Sequence, residues 1–287
     1  MYFLNIYKPK GITSFDCIKI LRKKLGIKAI GHSGTLDPLA SGVMQIGVGK
    51  ATKLLDYLPD DKTYIASLKF GFESSTMDEE GEKTFVAIPC FDKSQFIQTF
   101  NSFLGKIRQI PPKYSAIKQN GKKLCDIVRK NPDIELSIKP RNIEIYDISL
   151  LDFDHDTAKI KVHCSKGTYI RSLVNDIGKS LKCGAYLSDL IRVQAGNFII
   201  DNSQELDSAD FIKINPLDVV NLEKLDINDC EYMLVKNGCA IETHKKFKNN
   251  TIMLTNNKKL VSIANLSDNP NKCNCFLVKP KKNFCED

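Results

Sequence analysis

The hydrophobic and polar positions along the chain change between strand-like and helix-like spacing. Residues 2–7 have strand character, and the turn Lys8-Pro-Lys-Gly11 follows them. Thr13 or Ser14 can cap a helix that runs to Leu25, because its apolar residues recur at helical spacing. The chain therefore opens with a strand, a turn and a helix.

Later segments repeat this mixture. Strand character is found in VMQIGVG, KTYIASLKFGF, NIEIYDISLLDF and AKIKVHCS. Helical spacing is found in ATKLLDYL, in SQFIQTFNSFLG, which Gly105 is expected to end, and in the second half of SKGTYIRSLVNDIGKSL. The pattern predicts an α+β main domain.

The amino-acid composition of the chain changes near Asn202, where a polar connection rich in Asp, Asn and Ser runs to about Pro216. The segments beyond it are short and β-rich. A length of 287 residues is typical of about two domains. We predict a main domain over residues 1–215 and a small β-rich domain over residues 216–287.

A basic segment lies at about residues 113–141, where eight Lys and Arg residues face only Asp126, Asp133 and Glu135. It contains Asn120-Gly121, a strong signal for a tight turn. The charges are typical of a projecting segment that binds a polyanion. The solvated face of a helix explains them equally well.

The composition is that of a globular protein with a moderate basic excess. Lys and Arg outnumber Asp and Glu by 42 to 34, a net charge of +8, which fits a polyanion partner. The N-terminus lacks signal-peptide features, and no apolar run approaches the ~18 residues of a membrane span. The ten cysteines include no Cys-x-x-Cys pair, so we expect reduced thiols, a cytoplasmic location and no metal site.

The sequence GHSGTLDPLASG at residues 31–42 is the first candidate for chemistry. Pro38 biases Asp37 toward an extended conformation, and the three glycines let another chain approach closely. Such a loop can present a carboxylate to a bulky substrate. The same residue types are ordinary in a surface turn, so this alternative stays open at this point.

Two further candidates lie far away in the sequence. At the start of a predicted helix, Tyr169 offers a stacking face and Arg171 a permanent charge that can hold a carboxylate. Tyr64 is an aromatic residue in a strand-like run. Each has a structural alternative, namely a capped helix with a surface arginine and a tyrosine of the core.

Together, these motifs resemble the TruB family of bacterial tRNA pseudouridine-55 synthases. The resemblance depends on KPKGITS, GHSGTLDPLASGVMQIGVGKATKL, QIPPKYSAIKQNGKKL, CSKGTYIRSL and CGAYLSDLIRVQAGNF, over about residues 4–198. It implies a pseudouridine-synthase-like, mixed and mainly antiparallel sheet flanked by helices. It also implies that the C-terminal domain is a PUA-like RNA-binding module.

The resemblance implies three catalytic residues. It places the family's essential aspartate at Asp37, pairs Arg171 with it and packs Tyr64 against the flipped uracil. Arg171 is expected to lower the pKa of the Asp37 carboxyl and keep it ionised. The carboxylate would serve either as a nucleophile or as a base. Isomerisation of uridine involves no redox change, so no redox cofactor is expected.

Four substrate-binding residues are implied besides Tyr64. His32 would help to extract the base, Tyr169 and Leu190 would complete its pocket, and Lys8 is assigned to substrate binding. A stacked uridine must be flipped out before its glycosidic bond can be broken. The implied partner is the T-arm of tRNA, bound by a monomer that needs no obligatory protein partner. We expect charge reversal across residues 122–123 to weaken tRNA binding.

The chain departs from the family pattern at three places. Ser-Ser-Thr stands at residues 74–76 where Thr-Asp-Thr is usual, Cys125 replaces an aromatic residue, and Ile191 replaces a second Arg. Asp78 and Gly81 follow as the family pattern expects. We expect these departures to affect packing or tRNA contacts more than chemistry.

Three other functions are weighed against this interpretation. The catalytic subunit of an RNA-guided pseudouridylation particle resembles the chain around the aspartate, but the short ends favour a stand-alone enzyme. A non-catalytic RNA-binding factor would not need Asp37, Tyr64 and Arg171 together. A phosphate-binding metabolic enzyme is disfavoured because the glycines fit neither a Rossmann fingerprint nor a P-loop.

Overall fold

A computed structural model describes residues 1–285, except residues 116, 120, 132, 133, 135, 270, 271 and 273 and the side chains of Lys118, Lys122 and Lys123. Within this part of the chain, no helix is long and apolar enough to cross a membrane. The predictions for the Asn120 turn position, for Asp133 and Glu135, and for the charges of Lys122 and Lys123 therefore lie outside the described residues.

The strands of the first 200 residues belong to one large sheet and two short hairpins. They are β1 (Tyr2–Lys8), β2 (Ile30–Ser33), β3 (Ser41–Val48), β4 (Lys62–Phe70), β5 (Phe72–Ser74), β6 (Lys83–Phe85), β7 (Gly105–Gln109), β8 (Lys118–Gln119), β9 (Lys122–Lys123), β10 (Arg141–Phe153), β11 (Thr157–Cys164), β12 (Ala185–Ala195) and β13 (Phe198–Ile199).

The large sheet has nine strands within the described residues, in the order β1-β3-β12-β4-β11-β10-β7, with β2 on β3 and β13 on β12. All of its pairings are antiparallel except that of β3 with β12. The predicted mixed, mainly antiparallel sheet is confirmed. The parallel pair fixes the end of the Asp37 loop, because β3 follows that loop directly.

The helices lie between these strands and in the C-terminal region. They are α1 (Ser14–Leu25), α2 (Lys93–Asn101), α3 (Leu124–Lys130), α4 (Ile170–Ser180), α5 (Pro216–Val219) and α6 (Asp229–Lys236), with 3₁₀ turns at Gly49–Tyr57 and Ile200–Asn202. The predicted short helix in ATKLLDYL is the first of these 3₁₀ turns.

Helix α1 begins as the sequence predicts. Thr13 caps it and forms a capping box with Asp16, which satisfies backbone N–H groups that the helix itself leaves free. Its C-cap, Gly26, has a φ of 67°. Helix α2, in contrast, ends at Asn101, before Gly105, because the hydrogen bonds of residues 102–104 tighten to the i−3 pattern.

Helix α4 packs directly against β12, the strand paired with β3. A Cβ on Gly178 would lie 2.2 Å from the backbone nitrogen of Ala185, so this close approach requires glycine. Leu173, Val174 and Ile177 are fully buried in the main core. The first turn of α4 is thereby fixed over the sheet, and Arg171 lies in that turn.

A second sheet of five described strands forms the C-terminal region, in the order β14-β16-β17-β18-β15. These strands are β14 (Lys224–Asp226), β15 (Ile241–Thr243), β16 (Thr251–Asn256), β17 (Lys259–Asp268) and β18 (Phe276–Asn283). The predicted β-rich C-terminal region is confirmed. It shares an apolar cluster with the large sheet, to which Phe3 and Phe198 contribute from one side and Met253 and Phe284 from the other.

Candidate active site

Asp37 lies on the loop that joins β2 to β3, and two hydrogen bonds fix the residue before it. The Ser14 hydroxyl donates to the Leu36 carbonyl at 2.9 Å and accepts from the Leu36 N–H at 2.8 Å. The Gly11 N–H donates to the Pro38 carbonyl at 2.8 Å. The KPKGITS motif thus supports the Asp37 loop.

The Lys8 ammonium supports the same loop from inside the protein. It is fully buried, and it donates to the carbonyls of Pro9 at 2.9 Å and Ile12 at 2.7 Å, with a longer contact of 3.5 Å to that of Pro38. The expected contact between Lys8 and substrate does not fit this position. Its buried charge is satisfied by backbone carbonyls, so Lys8 positions the loop instead.

Gly42 explains how the loop returns to the sheet. Its φ is 109°, and a Cβ there would lie 2.2 Å from the Arg192 carbonyl oxygen. Both the backbone conformation and the contact exclude other residues. The Asp37 loop therefore enters the parallel pairing of β3 with β12 at Ser41–Ile191 and Gly42–Arg192.

Arg171 binds two carboxylates. Its Nη2 lies 2.9 Å from Asp37 Oδ2, and its Nη1 lies 3.2 Å from Asp78 Oδ2. It also donates to the carbonyls of Tyr114 at 3.0 Å and Thr76 at 3.3 Å. The side chain is only 6% exposed, so these four acceptors replace the water that its charge would otherwise bind.

Asp78 is held by a tight turn between β5 and β6. Thr76 Oγ1 and the Glu80 N–H both donate to Asp78 Oδ1, and the Ser74 hydroxyl donates to the Asp78 carbonyl at 2.6 Å. A Cβ on Gly81 would approach Ser74 and Thr76 within 2.6 Å. The unusual residues at positions 74–76 therefore still supply the hydroxyl groups that hold Asp78.

The Asp37 carboxyl has a raised pKa, in contrast to the expectation from its arginine partner. Burial is the main cause, and the negative charge of Asp78 also raises the pKa. Arg171 and Lys8 oppose the shift without cancelling it. The side chain is 41% exposed toward a narrow cleft, yet surrounding protein groups replace much of the carboxyl's hydration.

The Asp37 carboxyl opens into a cleft of about 260 Å³. Tyr64 from β4, Tyr169 and Arg171 from the start of α4, and Leu190 from β12 line it as well. Tyr64 and Leu190 are buried, whereas Tyr169 is half-buried. The structure thus brings together five of the seven predicted site residues, although they are distant in sequence.

The backbone of Tyr169 is fixed by a buried amide. The side chain of Gln109 donates to the Tyr169 carbonyl at 3.0 Å and accepts from its N–H at 2.8 Å. Burial raises the pKa of the Tyr169 hydroxyl, so the ring stays neutral beside Asp37. Burial likewise raises the pKa of Tyr64.

His32 lies on β2, outside the lining of the cleft, and is half-buried. Burial and the nearby Arg192 guanidinium lower its pKa. The imidazole is therefore held in its neutral form, which can accept as well as donate a hydrogen bond.

Two basic residues of the cleft were not predicted from the sequence. Lys62, at the start of β4, and Arg192, in β12, both line it. Arg192 lies between Ile191 and Val193, and a charged residue within an apolar strand was the available signal. The sequence alone does not indicate the role of Asp78, a residue that the family pattern expects.

A larger groove of about 810 Å³ lies near the start of β1, at the opposite end of that strand from Lys8 and the Asp37 loop. Tyr2, Lys50, Lys213 and Lys258 are among its lining residues. It contains none of the predicted site residues. The smaller cleft is the candidate active site because the carboxylate, the arginine and the aromatic rings meet there.

Known proteins are similar to this chain over most of its length. The family model described as TruB family pseudouridylate synthase (N terminal domain) matches residues 22–170. The tRNA pseudouridine synthase B of Clostridium novyi (strain NT) is 46% identical over 246 residues, which are 83% of this chain and 84% of the relative. That of Clostridium acetobutylicum is 39% identical over 278 residues, covering 92% and 95%.

Two solved structures with similar folds are described as follows. One, described as an H/ACA RNP bound to a substrate RNA containing 2'-deoxyuridine, has a TM-score of 0.74 and 22% identity, covering 99% of this chain and 85% of that chain. A Cbf5-Nop10-Gar1 complex has a TM-score of 0.70 and 24% identity, covering 92% and 78%. These similarities establish a shared fold.

Proposed function

Because the chain belongs to the TruB family of pseudouridylate synthases, it forms pseudouridine in tRNA, and we propose that its target is uridine 55 of the T-loop. The single observation that supports an active catalytic centre most strongly is the 2.9 Å contact between Arg171 and Asp37 in an aromatic-lined cleft. An enzyme of this class needs a carboxylate that a flipped nucleotide can reach.

The cleft suits a uracil ring that has left its stack. Tyr64 packs against the flat face of the base, and Tyr169 and Leu190 close the remaining sides. His32 helps to extract the base before it enters, acting from β2 as a neutral imidazole. Stacking tolerates rotation of the ring in its plane, which the reaction requires.

Asp37 acts at the sugar or at the base. The N1–C1′ bond breaks, uracil turns within the cleft, C5 bonds to C1′, and the hydrogen of C5 is lost as a proton while N1 gains one. The ionised carboxylate serves in either route, as a nucleophile or as the base that removes a sugar proton. Arg171 favours the ionised form of Asp37 against burial and the charge of Asp78.

We assign residues 1–215 to the catalytic domain and residues 216–287 to a PUA-like RNA-binding domain. Among the described residues of segment 113–141, several positively charged side chains are exposed. They are Lys113, Arg129, Lys130, Lys139 and Arg141. They support a role of this segment in binding the phosphates of the T-arm. The enzyme would work as a monomer, in the cytoplasm.

The catalytic subunit of a guide-dependent particle is the second candidate function. Its support is the fold shared with the H/ACA RNP and Cbf5-Nop10-Gar1 structures, which are 22% and 24% identical to this chain. The curated relatives that are 39–46% identical over most of this chain are tRNA pseudouridine synthases. We therefore favour the stand-alone enzyme.

The experiment that tests the target maps pseudouridine in a tRNA transcript after incubation with the purified chain alone. Carbodiimide treatment followed by primer extension should give one stop, next to position 55. A transcript with cytidine at position 55 should give none. A stop at another uridine, or no stop without added protein or guide RNA, would contradict the proposal.

A further inference from the structure

Two cationic side chains converge on Gly34, three residues before Asp37. A Cβ built on Gly34 would lie 3.1 Å from Lys62 Cε and 3.4 Å from Arg192 Nη1, with Lys62 Nζ at 4.0 Å. Gly34 itself is exposed and has a φ of 78°. The absence of a side chain therefore leaves a small space at the edge of the cleft, with both cations beside it.

Neither cation has an acidic partner among the described residues. Arg192 is fully buried; its Nε donates to the Val43 carbonyl at 2.7 Å and its Nη2 to the Gly34 carbonyl at 3.2 Å. The neutral Tyr64 hydroxyl interacts with this guanidinium, but Nη1 makes no hydrogen bond of ordinary geometry in the described part of the chain. A buried guanidinium held only by neutral groups is costly, since it remains charged.

Lys62 is 7% exposed, and its ammonium donates to one backbone carbonyl, that of Asp60, at 2.7 Å. The two nearby carboxylates are engaged elsewhere. That of Asp60 binds Lys166 at 2.6 Å, and that of Asp61 binds His163 at 3.1 Å. Burial lowers the pKa of Lys62, and repulsion by the nearby Arg192 guanidinium lowers it further.

The remaining charges of the cleft do not offset this excess. Arg171, which binds Asp37 and Asp78 directly, and the buried Lys8 ammonium, whose charge also acts on Asp37, together match those two carboxylates. Lys62 and Arg192 therefore leave positive charge at the Gly34 edge of a cleft that is otherwise balanced. An anion placed there would relieve the repulsion and supply an acceptor for the Lys62 ammonium.

We propose that Lys62, backed by Arg192, forms an anion subsite at Gly34 that binds a phosphate attached to the ribose of the flipped nucleotide. Lys62 makes the direct contact, and the Arg192 guanidinium behind it adds charge. This inference rests on the proposed function, because it takes the bound RNA as its ligand.

The position of Asp37 favours a phosphate over the base as the ligand. The N1–C1′ bond must lie beside Asp37, whether the carboxylate acts at the sugar or at the base, and both phosphates are joined to that ribose. Gly34 belongs to the same loop and is exposed, so the RNA backbone can reach it from outside. The uracil carbonyls are neutral in the bound substrate and do not balance two cations.

The test measures binding of a T-arm hairpin RNA in which one phosphate, either 5′ or 3′ of the target uridine, is an uncharged methylphosphonate. All proteins carry Asp37→Asn to prevent turnover. With Lys62 present, one of the two replacements should weaken binding about 10-fold, the usual value of a charge-assisted contact. With Lys62→Met, the same replacement should change binding by less than about twofold, because the contact is already lost.

Lys69→Met is the matched control. Lys69 lies on the same strand, is exposed and pairs with Glu79 at 3.7 Å, so its variant should respond to the methylphosphonate as the parent does. Lys62→Arg keeps the charge. In this variant the methylphosphonate should still weaken hairpin binding, with at least half of the parent's effect on the logarithm of Kd. It provides a second reading if Lys62→Met unfolds, which thermal melting reports.

Two results would overturn the subsite. One is that a given methylphosphonate weakens hairpin binding by the same factor in the parent and in Lys62→Met, for both positions of the replacement. Lys62 then makes no contact with either phosphate. The other is unchanged hairpin affinity in Lys62→Met, even if turnover of the otherwise wild-type enzyme falls, since a purely kinetic effect places Lys62 at the reacting base. Failure of the proposed function is separate: the enzyme with Asp37 intact would then form no pseudouridine in the unmodified hairpin.

Discussion

Asp37 and Asp78 are bridged by a single guanidinium group, although they lie on different loops. Arg171 Nη2 binds Asp37 at 2.9 Å and Nη1 binds Asp78 at 3.2 Å. Asp78 is 4% exposed in its side chain, whereas Asp37 faces the cleft. The buried Asp78 carboxylate orients Arg171 and at the same time raises the pKa of Asp37.

Arg171 should be needed for turnover more than for tRNA binding. Lysine cannot bridge two carboxylates with a planar fork, so Arg171→Lys should lower the single-turnover rate on the order of 100-fold, as for lost electrostatic stabilisation. Arg171→Ala should also destabilise the fold by about 3–5 kcal/mol, because Asp78 loses its buried counter-charge. Filter binding of tRNA by Arg171→Lys should match wild type. Wild-type turnover in either variant would remove the assigned role.

Asp78→Asn should shift the pH dependence of the reaction. The negative charge of Asp78 raises the pKa of Asp37, so its removal should move the acidic limb of the pH–rate profile to lower pH. The maximal rate should fall about tenfold or more, since Arg171 loses a charged acceptor. Asp126→Asn, an exposed residue of α3, is the control and should leave the profile unchanged. A shift toward higher pH in Asp78→Asn would contradict the bridge.

Asp37→Asn should stabilise the folded protein at neutral pH. A carboxyl with a raised folded-state pKa favours folding only while it is protonated, and this contribution is lost as the pH rises through the folded value. The difference in melting temperature between variant and wild type should be positive at pH 7. This difference should vanish below pH 3.8, the ordinary pKa of an aspartate carboxyl, because residue 37 is then protonated in both the folded and the unfolded state. A lower melting temperature for Asp37→Asn at pH 7 would mean that Arg171 outweighs burial.

Tyr64 should act mainly through its ring. Tyr64→Leu removes the stacking surface and should cost about 1–3 kcal/mol in binding or turnover of the flipped base. Tyr64→Phe keeps the ring and loses only the hydroxyl near Arg192, so it should retain most of the activity. Comparing kcat/KM of the two variants separates these effects. Equal loss in both would indicate that the hydroxyl is essential.

The sequence was sufficient for elements whose signals are local. Thr13, one of the two predicted caps, begins α1, and the helix ends at Leu25 as predicted. Most long strands of the large sheet follow runs of apolar and β-branched residues. The family resemblance then selected five residues whose side chains line one cleft in the structure, because the motifs retain the family's order.

The remaining features depend on contacts that one strand or loop does not encode. Nothing near Asp37 in sequence shows that Asp78 shares its arginine, and burial together with this second carboxylate reverses the expected direction of the pKa. Lys8 resembles a surface lysine in its motif but is buried among carbonyls. Arg192 gains its importance only when β12 pairs with β3 and faces Gly34.

We propose that Asp37 drives the isomerisation of uridine in tRNA. The most direct measurement is release of tritium from tRNA transcripts that carry [5-³H]uridine, because pseudouridine formation removes the hydrogen from C5. Wild-type protein alone should release one equivalent of tritium per tRNA, and Asp37→Asn should release none while still binding tRNA. Release by Asp37→Asn at a rate near wild type would show that another group carries out the reaction.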